Sequence, residues 1–378
     1  MDIKQELDEL RSQVDEIDRE IVPLFVQRMA LSLAIGKAKG RGNMSVLNQQ
    51  REQQIIDQAL EATDQSIVGE TALLMRTIIA LSREHQYAQL MDRDRHLLPK
   101  PRKLARDSIS CAYQGVPGSW SEQALLQVFP DAHKEAVDFF EDVFLAVRDG
   151  NVDYGVVPIE NSTTGAIGET YDLLRKYGCF IVGRTSVRAR QCLLAAPGTR
   201  LNDIREVLSH PEGFKQCSGF LHNRAWDLTA TRNTAVAAET VAKKKSSRFA
   251  AIGSRRAAEL NELAVIATDI MDSDKNTTSF VVIAANPEYD ESSDIITITF
   301  STAHRAGALC EALLPYLAHE VNMLRIESRP SEPGKYRFFA DLAGNINDDV
   351  LIDCLLQAKS LCEYIEVLGC YSNKDAEE

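Results

Sequence analysis

The chain has 378 residues, enough for two or three domains, and its 44% hydrophobic and 26% charged residues are the proportions of an ordinary globular protein. The formal net charge of −13 argues against nucleic acid as a partner, because phosphate binding requires a basic surface. Eight cysteines show neither C-x-x-C pairs nor Cys/His metal spacing, so we expect reduced, mostly buried thiols and no metal site. We find neither a signal sequence nor an apolar run near membrane-spanning length, which predicts a cytoplasmic protein without membrane contact.

Two polar breaks divide the sequence. Residues 92–106 are basic, contain two prolines and lack periodicity, which is typical of a linker. Residues 285–293 form a second polar break. The predicted domains are therefore 1–91, 107–285 and 294–373.

The first segment is predicted to be entirely helical. Apolar residues from Leu7 to Ile35 recur at steps of three and four, and shorter helices are expected at about 46–62 and 67–90. A first helix of roughly forty residues would exceed 50 Å, too long to pack within one small domain. We therefore expect dimerisation along it. Pro23 lies inside the pattern and should kink the helix.

Polar residues interrupt both helical seams. Arg28 lies on the apolar stripe, or seam, of the first predicted helix. Ser82 and Gln86 lie on the seam of the helix predicted at 67–90. A polar residue can fix register and oligomeric state, but an arginine with a Ser/Gln pair fits that alternative poorly, since an unpaired buried charge costs several kcal/mol. An anionic ligand would supply the missing partner. Lys39 shares the face of Arg28, whereas Arg11 could join the site from the partner's antiparallel helix.

These spacings resemble the all-helical, intertwined-dimer chorismate mutase family. The resemblance implies a pericyclic rearrangement of chorismate to prephenate without nucleophile, metal or cofactor, so catalysis consists of holding the reactive conformer and stabilising charge on the breaking ether oxygen. It implies that the arginines hold carboxylates, that Lys39 and Gln86 donate to the ether oxygen, that Glu52 binds the ring hydroxyl and that Ser82 supports a carboxylate. Asn48 stands where the family often has aspartate. The implied chorismate-binding residues are Arg11, Arg28, Lys39, Asn48, Arg51, Glu52, Ser82 and Gln86.

The second segment contains the most informative stretch of the chain, Val156 to Gly165. A strand from Tyr154 to Val157 is predicted to stop at Pro158, which cannot donate to a sheet ladder, and a helix to begin near Ile167. The carboxylate, amide and hydroxyls in between suit the cleft of an open α/β sheet, where ligands bind beyond the carboxyl ends of strands. A turn that only caps the helix is the alternative.

Further blocks make the pattern more specific. They are the turn Gly115–Ser121 with Ser119 as N-cap, Ser209-His210-Pro211 followed by Gln216, and Asn276–Phe280. Together with the Val156 stretch they resemble the prephenate dehydratase family over 107–285. The resemblance implies two α/β lobes like those of periplasmic binding proteins, with the ligand in the cleft. By itself, His210 is more often structural than catalytic.

By the same resemblance, prephenate loses carbon dioxide and its ring hydroxide, and Thr278 is the catalytic donor. Ser279 replaces an arginine found in some members, which leaves carboxylate anchoring open. The opening Ala112–Gly115 is similar to relatives that prefer arogenate, so that substrate remains an alternative. The implied prephenate-binding residues are Ser119, Glu160, Asn161, Ser162, Ser209, His210, Gln216, Thr278 and Phe280.

The third segment predicts the order β-α-β-β-α-β, with strands near 295–300, 321–329, 335–343 and 364–370 and helices near 307–318 and 347–361. It resembles the phenylalanine-sensing ACT domain, a ferredoxin-like fold. A bare dimerisation module is the alternative. The implied phenylalanine-binding residues are Gly307, Ala308, Leu309, Asn322, Leu324, Glu327, Ser328 and Arg329.

The three resemblances together imply a bifunctional chorismate mutase–prephenate dehydratase that makes phenylpyruvate and is inhibited by L-phenylalanine. Its expected ligands are chorismate, prephenate and phenylalanine, and its expected state is a homodimer or higher homo-oligomer. A non-catalytic dimeric sensor is the competing class, but a sensor would need neither the polar seam residues nor a donor at Thr278. A third possibility keeps one activity while the other decays, and only Asn48 and Ser279 favour it.

Overall fold

A computed structural model describes residues 3–42, 44, 46–90, 97–101, 108–163, 165–332 and 335–373. The N-terminal part is helical, as predicted, and α1 continues through Pro23. Both α1 and α2 pack against α3. The helices are α1 (Ile3–Arg41), α2 (Gln49–Glu61) and α3 (Val68–Leu90).

The apolar seam of α1 is uncovered in a single chain. Leu10, Val14, Ile17 and Ile21 are each about half exposed. A row of this length is unusual on the surface of a monomer, so it fits the predicted dimerisation, which stays a prediction.

By length and apolar composition, α1 could also span a membrane, and it is the single such helix in the described part of the chain. The expectation that no apolar run approaches that length is therefore wrong. The same helix carries Arg28, whose guanidinium donates to Ser82 of α3. Its polar face is thus used for packing inside the helical bundle.

The first α/β lobe follows residues 102–107, which lie outside the described residues, as do 91–96 of the predicted linker. Between them, Leu97 and Leu98 pack into the C-terminal core, and Leu98 is only 4% exposed. That part of the predicted linker is therefore anchored, because its leucines are apolar enough to bury. The lobe contains β1 (Ser110–Gln114), α4 (Trp120–Val128), β2 (His133–Val137), α5 (Phe140–Arg148), β3 (Tyr154–Asn161), β4 (Gly165–Ala166), α6 (Gly168–Tyr177) and β5 (Phe180–Arg188).

The chain then builds a second lobe and returns. The second lobe has its own sheet in the order β10-β6-β9-β7-β8, and β11 comes back to pair between β3 and β5 of the first lobe. Two chain segments therefore cross between the lobes, and the two-lobed α/β architecture is the one that the resemblance implied. The elements are β6 (Cys192–Ala195), β7 (Glu206–Ser209), α7 (Pro211–Gln216), α8 (Ser218–Leu221), β8 (Asp227–Ala230), α9 (Thr234–Lys244), β9 (Phe249–Gly253), α10 (Arg255–Leu260), β10 (Ala264–Ala267) and β11 (Thr277–Ala284).

The C-terminal part has the predicted β-α-β-β-α-β order, with strands in the spatial order β13-β14-β12-β15. Hydrogen bonds fix the preceding polar break, residues 285–293, to the C-terminal part. Asn345 Nδ2 donates to the carbonyls of Asp290 and Ser293, each at 2.7 Å. The elements are β12 (Ile295–Ser301), α11 (Ala308–Ala318), β13 (Met323–Glu332), β14 (Lys335–Ala343), α12 (Asp349–Leu361) and β15 (Tyr364–Tyr371).

A feature absent from the sequence prediction is that these strands extend the sheet of the first lobe. β15 runs beside β5 in parallel, with Gly369 opposite Ile181, which gives one ten-stranded sheet. A Cβ on Gly369 would lie 2.1 Å from the carbonyl oxygen of Ile181. Glycine is required at the junction because the two backbones approach too closely for a side chain.

Pro158 does not end β3, contrary to the prediction. β1 pairs with β3 only as far as Val156. No residue of β1 therefore pairs with Pro158, and the missing N–H of Pro158 leaves no carbonyl of β1 without a hydrogen-bond donor. On its other side β3 continues along β11 to Asn161, with a bulge between Ser279 and Phe280. The strand therefore delivers the polar stretch directly to its carboxyl end.

All eight cysteines are free, and six of them are buried, as the composition indicated. Burial raises the pKa of the Cys217 and Cys362 thiols to about 12. These thiols are therefore protonated at neutral pH, and they contribute packing.

Candidate active sites

The first site is a cavity of about 310 Å³ among the three N-terminal helices. Its volume suits a small organic ligand. Seven of the eight predicted chorismate-binding residues line it: Arg28, Lys39, Asn48, Arg51, Glu52, Ser82 and Gln86.

Hydrogen bonds between α1 and α3 fix the polar seam. Arg28 Nη1 donates to Ser82 Oγ and lies 3.4 Å from the Ile78 carbonyl. Gln86 Nε2 donates to Ser32 Oγ at 3.0 Å. The buried Oε1 of Gln86 has no partner among the described residues, so this acceptor is available to a donor group of a bound molecule, and the second N–H of Nε2 is available to an acceptor.

The helices approach closely at this point because α1 has a glycine there. A Cβ on Gly36 would lie 3.0 Å from Cα and Cγ of Gln86. Burial lowers the pKa of the Arg28 guanidinium from its very high ordinary value, and the group remains a cation. Arg28 is therefore a held, half-buried positive charge beside an amide.

The remaining predicted residues surround this centre. Lys39 Nζ donates to the Val46 carbonyl at 2.6 Å. Asn48 caps α2, because its Oδ1 accepts from the backbone N–H of Arg51 at 3.0 Å. An aspartate at position 48 could fill the same capping role. Arg51 itself is exposed and lies 3.5 Å from Gln54.

Sequence reasoning missed Arg83. It lines the cavity, is 9% exposed, and its Nη1 lies 3.2 Å from Glu52 Oε2. Burial raises the pKa of Glu52, and Arg83 counters that effect. Arg83 lies one residue after Ser82, off the apolar seam, and sequence periodicity gave no sign that its charge would be buried.

Arg11 lies away from this cavity in its own chain. Its side chain is 74% exposed and pairs with Asp8, one turn earlier on α1, at 3.4 Å. A contribution to the site would have to come from a second chain, as predicted.

The second site is a polar cluster at the carboxyl end of β3, where β11 begins. Asn161 Nδ2 donates to Thr278 Oγ1 at 2.8 Å and to Asn276 Oδ1 at 2.9 Å. Thr163 donates its amide to Asn161 Oδ1 at 2.9 Å. Because the Thr278 hydroxyl oxygen accepts from Asn161, its proton is directed elsewhere and can be donated to a bound molecule.

Asn276 was not predicted as a site residue. It is 5% exposed, and its Nδ2 has no partner among the described residues. It precedes Thr278 by two positions, which places both on one face of an extended segment. That spacing was the available signal.

Ser162 and Ser119 serve the local backbone. Ser162 Oγ donates to the Lys275 carbonyl at 2.9 Å and accepts from the Thr277 amide at 3.0 Å. Ser119 caps α4 by accepting from the Glu122 amide, as predicted. The neighbouring Gly118 carbonyl accepts from Ser254 of the second lobe at 3.0 Å, so Ser119 lies where the lobes meet.

Glu160 faces arginines. Its Oε2 lies 3.4 Å from Arg184 and 3.9 Å from Arg325, and both arginines also bind the buried Asp341 of β14. The carboxylate next to Asn161 is thus connected to the C-terminal strands. Its role as a substrate contact stays a prediction.

Three predicted prephenate contacts have structural partners instead. Phe280 is 2% exposed and packs in the core on the same face of β11 as Val282 and Ala284, so its side chain has a packing role and its contact with substrate stays a prediction. Ser209 is fully buried and donates to the Ile252 carbonyl at 3.1 Å. His210 Nδ1 caps α7 by accepting from the Glu212 amide, the structural role that sequence reasoning weighed.

Gln216 lies near the crossing between the lobes, where its Oε1 accepts from Gln191 at 3.1 Å. Within the described residues, no direct hydrogen bond joins Ser209, His210 or Gln216 to Thr278. The predicted set is therefore divided between the two lobes.

A separate cavity of about 230 Å³ lies at the lobe junction, beside Trp120 at the start of α4. Arg188, Arg190 and Arg255 line it together with Asp269. Sequence reasoning did not single out these arginines, because they are widely spaced along the chain and belong to no recognised motif.

The predicted phenylalanine residues lie on two elements. Gly307 starts α11 with φ +79°, and a Cβ there would meet open space. Ala308 is buried, Leu309 packs at the C-terminal core, and the backbone carbonyl of Asn322 accepts from Ala343.

The others lie on the edge strand β13. Leu324 is half exposed and Ser328 is exposed. Glu327 lies 3.7 Å from Arg329, whose Nη2 donates at 2.6 Å to the Ala166 carbonyl in the dehydratase-like lobe. Arg329 therefore contacts the segment that follows the polar cluster.

Comparison with known proteins agrees with this geometry. The family model for chorismate mutase type II matches residues 10–87, and that for prephenate dehydratase matches residues 111–288. The chain is 32% identical to the bifunctional chorismate mutase/prephenate dehydratase of Escherichia coli K12, over 97% of this chain and 96% of that one. The chain belongs to this bifunctional family. It is an isomerase acting on chorismate and a lyase acting on prephenate.

Other relatives match about three quarters of the chain or slightly less. An arogenate dehydratase/prephenate dehydratase of Arabidopsis thaliana is 33% identical over 74% of this chain and 78% of its own. The crystal structure of an Arthrobacter aurescens prephenate dehydratase in complex with L-Phe superposes with a TM-score of 0.64 at 28% identity, covering 70% of this chain and 90% of that one. A structure described as a quorum-quenching acylase has a TM-score of 0.65 at 31% identity, covering 70% and 97%.

Proposed function

We propose that the helical cavity rearranges chorismate to prephenate, that the polar cluster at Thr278 converts prephenate to phenylpyruvate, and that phenylalanine bound to the C-terminal domain inhibits the enzyme. One observation carries the proposal: Arg28, Lys39 and Arg51 line one small cavity together with the amide of Gln86. A dicarboxylate with a breaking ether bond requires this combination of cations and a donor.

In the mutase step the cations orient the substrate and no covalent chemistry by the protein is needed. Arg28 holds one carboxylate, with Ser82 fixing its guanidinium, and Arg51 holds another at the cavity wall. Lys39 and Gln86 donate to the ether oxygen as charge develops, and Glu52 binds the ring hydroxyl. Arg11 from the partner would complete the site, which makes the functional unit a homodimer.

In the dehydratase step Thr278 donates its proton to the departing ring hydroxide as the carboxylate is lost as carbon dioxide. Asn161 donates to both Thr278 and Asn276 and thereby holds Thr278 in place. Ser119, Glu160, Ser162 and Gln216 shape the surroundings, and Ser209, His210 and Phe280 support them from within the lobes. Ser279 has no positive charge with which to bind the substrate carboxylates. Arg188, Arg190 and Arg255 supply that charge instead.

The C-terminal residues 294–373 are assigned as an ACT domain that binds phenylalanine through Gly307–Leu309 and strand β13 of a neighbouring copy. The exposed edge of β13 supports a contact between copies, and the Arthrobacter structure contains L-Phe. The domain division at 1–91, 107–285 and 294–373 and a cytoplasmic location complete the proposal.

The test is to separate the two reactions by mutation. Arg28→Ala should abolish conversion of chorismate and spare that of prephenate, and Thr278→Val should do the reverse. If one variant loses both activities while remaining folded, the assignment of two separate sites is wrong. An arogenate assay of the wild type tests the alternative substrate, which the name of the Arabidopsis relative includes beside prephenate.

A further inference from the structure

Arg83 links the mutase cavity to the C-terminal domain. Its Nη1 lies 3.2 Å from Glu52 Oε2 inside the helical part, and its Nη2 donates to Glu311 Oε2 of α11 at 2.6 Å. Arg305 also pairs with Glu311. The contact joins residues 228 positions apart in the sequence.

The contact is buried. The side chains of Arg83, Glu52 and Glu311 are 11%, 22% and 13% exposed. A guanidinium presents its donors in a rigid planar fork, so two carboxylates on different edges fix its position and orientation. A lysine or an amide at position 83 could not hold both carboxylates in this way.

The helical part and the C-terminal domain also meet at a second contact. Helix α3 packs against α12 of the C-terminal domain, and a cavity of about 820 Å³ separates the two parts beside the ion pairs. Glu52, Arg83, Arg305 and Glu311 all line this larger cavity, and Glu52 and Arg83 line the mutase cavity as well. One wall is therefore shared by both cavities.

We propose that Arg83 is a positioning residue of the mutase site, which orients Glu52 toward the substrate and is itself held in place by Glu311 of the C-terminal domain. The inference rests on the assignment of the helical cavity as the mutase site. It makes the first reaction depend on docking of the C-terminal domain even when no phenylalanine is bound.

Several charges act on Glu52. Burial raises its pKa most strongly, Arg83 lowers it, Glu311 raises it, and Arg305 and Lys39 lower it. Removing Arg83 therefore raises the pKa of Glu52 further and shifts the pH range in which this carboxylate is ionised to higher values.

The experiment compares Arg83→Gln, Glu311→Gln and the double variant in the full-length protein. We expect mutase kcat/KM to fall about tenfold in Arg83→Gln, the scale of one charge-assisted hydrogen bond, and about threefold in Glu311→Gln. The double variant should be no worse than Arg83→Gln, because both changes break one chain of contacts. Prephenate dehydration should be unchanged in all three.

The control is Arg76→Gln, two turns earlier on α3 and on the wall of the larger cavity. It should leave both reactions unchanged. In Arg83→Gln the pH profile of mutase kcat/KM should also move to higher pH, which a merely structural role would not produce. Melting temperature and dimer content show that each variant is folded.

Multiplicative losses in the double variant, an unmoved pH profile, or unchanged mutase kinetics in Glu311→Gln would each overturn the inference. Arg28→Ala distinguishes the two levels of failure. If Arg28→Ala abolishes mutase activity while the Arg83 and Glu311 variants are normal, only this inference fails. If Arg28→Ala is also normal, the cavity is not the mutase site.

Discussion

Replacing Arg28 with alanine tests the mutase cavity at its centre. The guanidinium is half-buried between α1 and α3, donates to Ser82 and lines the same cavity as Gln86. A hydrogen bond to a charged group contributes about 1.5–3 kcal/mol, and more when the partner is a buried carboxylate. At 1.4 kcal/mol for each factor of ten, we expect mutase kcat/KM to fall by about 10²-fold or more.

The assay is loss of chorismate absorbance, with dehydration of added prephenate measured on the same preparation. Arg19→Ala, on the exposed face of α1, is the matched control and should retain both activities. Dimer content should be measured for both variants, because α1 is the predicted dimer helix. Near-normal mutase kinetics in a folded Arg28→Ala dimer would refute the assignment of this cavity.

Three further predictions address the remaining parts. Thr278→Val keeps the β-branched shape and removes the donor, so prephenate turnover should fall by about 10²-fold. Thr229→Val, at an exposed strand threonine, is the control and should have normal turnover. Unaffected turnover in Thr278→Val would make Thr278 a structural residue. Gly307→Val should weaken inhibition by phenylalanine without changing uninhibited turnover. Gly198→Val controls for backbone strain, because Gly198 has a similar φ of +84° and equally open space around it. Identical inhibition curves for Gly307→Val and wild type would remove Gly307 from the site. Gly369→Ala should lower stability by about 1–3 kcal/mol, because its Cβ would meet the Ile181 carbonyl, whereas Gly69→Ala, with nothing nearby, should not; equal melting temperatures would show that the sheet junction adapts.

The sequence predicted local structure well where periodicity and caps determine it. Polar residues at Arg28, Ser82 and Gln86 stood out because they broke an apolar helical pattern, and the structure places all three in one cavity. The capping role of Ser119 followed from its position before a helix. These features depend on neighbours within a few turns of the chain.

Contacts between distant segments could not be predicted in the same way. The pairing of Arg83 with Glu311 depends on how two domains dock, and neither residue breaks a local pattern. Pro158 was read as the end of a strand because sequence cannot show that the adjacent strand has already ended. Both faces of β11 are buried, with Phe280 in one core cluster and Val281 in another, because the strand lies inside a sheet whose extent the local pattern does not reveal.

The resemblance to known families supplied what physical reasoning from the residues alone could not. An arginine on a helical seam indicates an anion, but it does not specify chorismate. Conversely, the resemblance assigned Ser209 and Phe280 as substrate contacts, whereas the structure buries both. Residue roles transferred between relatives therefore need the geometry of the chain itself.

The most direct test of the central claim is to incubate the purified full-length protein with chorismate alone and follow the products over time by chromatography. We predict that chorismate disappears, that prephenate rises and falls, and that phenylpyruvate accumulates in stoichiometric amount. Prephenate that accumulates without phenylpyruvate, or chorismate that is consumed no faster than in buffer, would contradict the account.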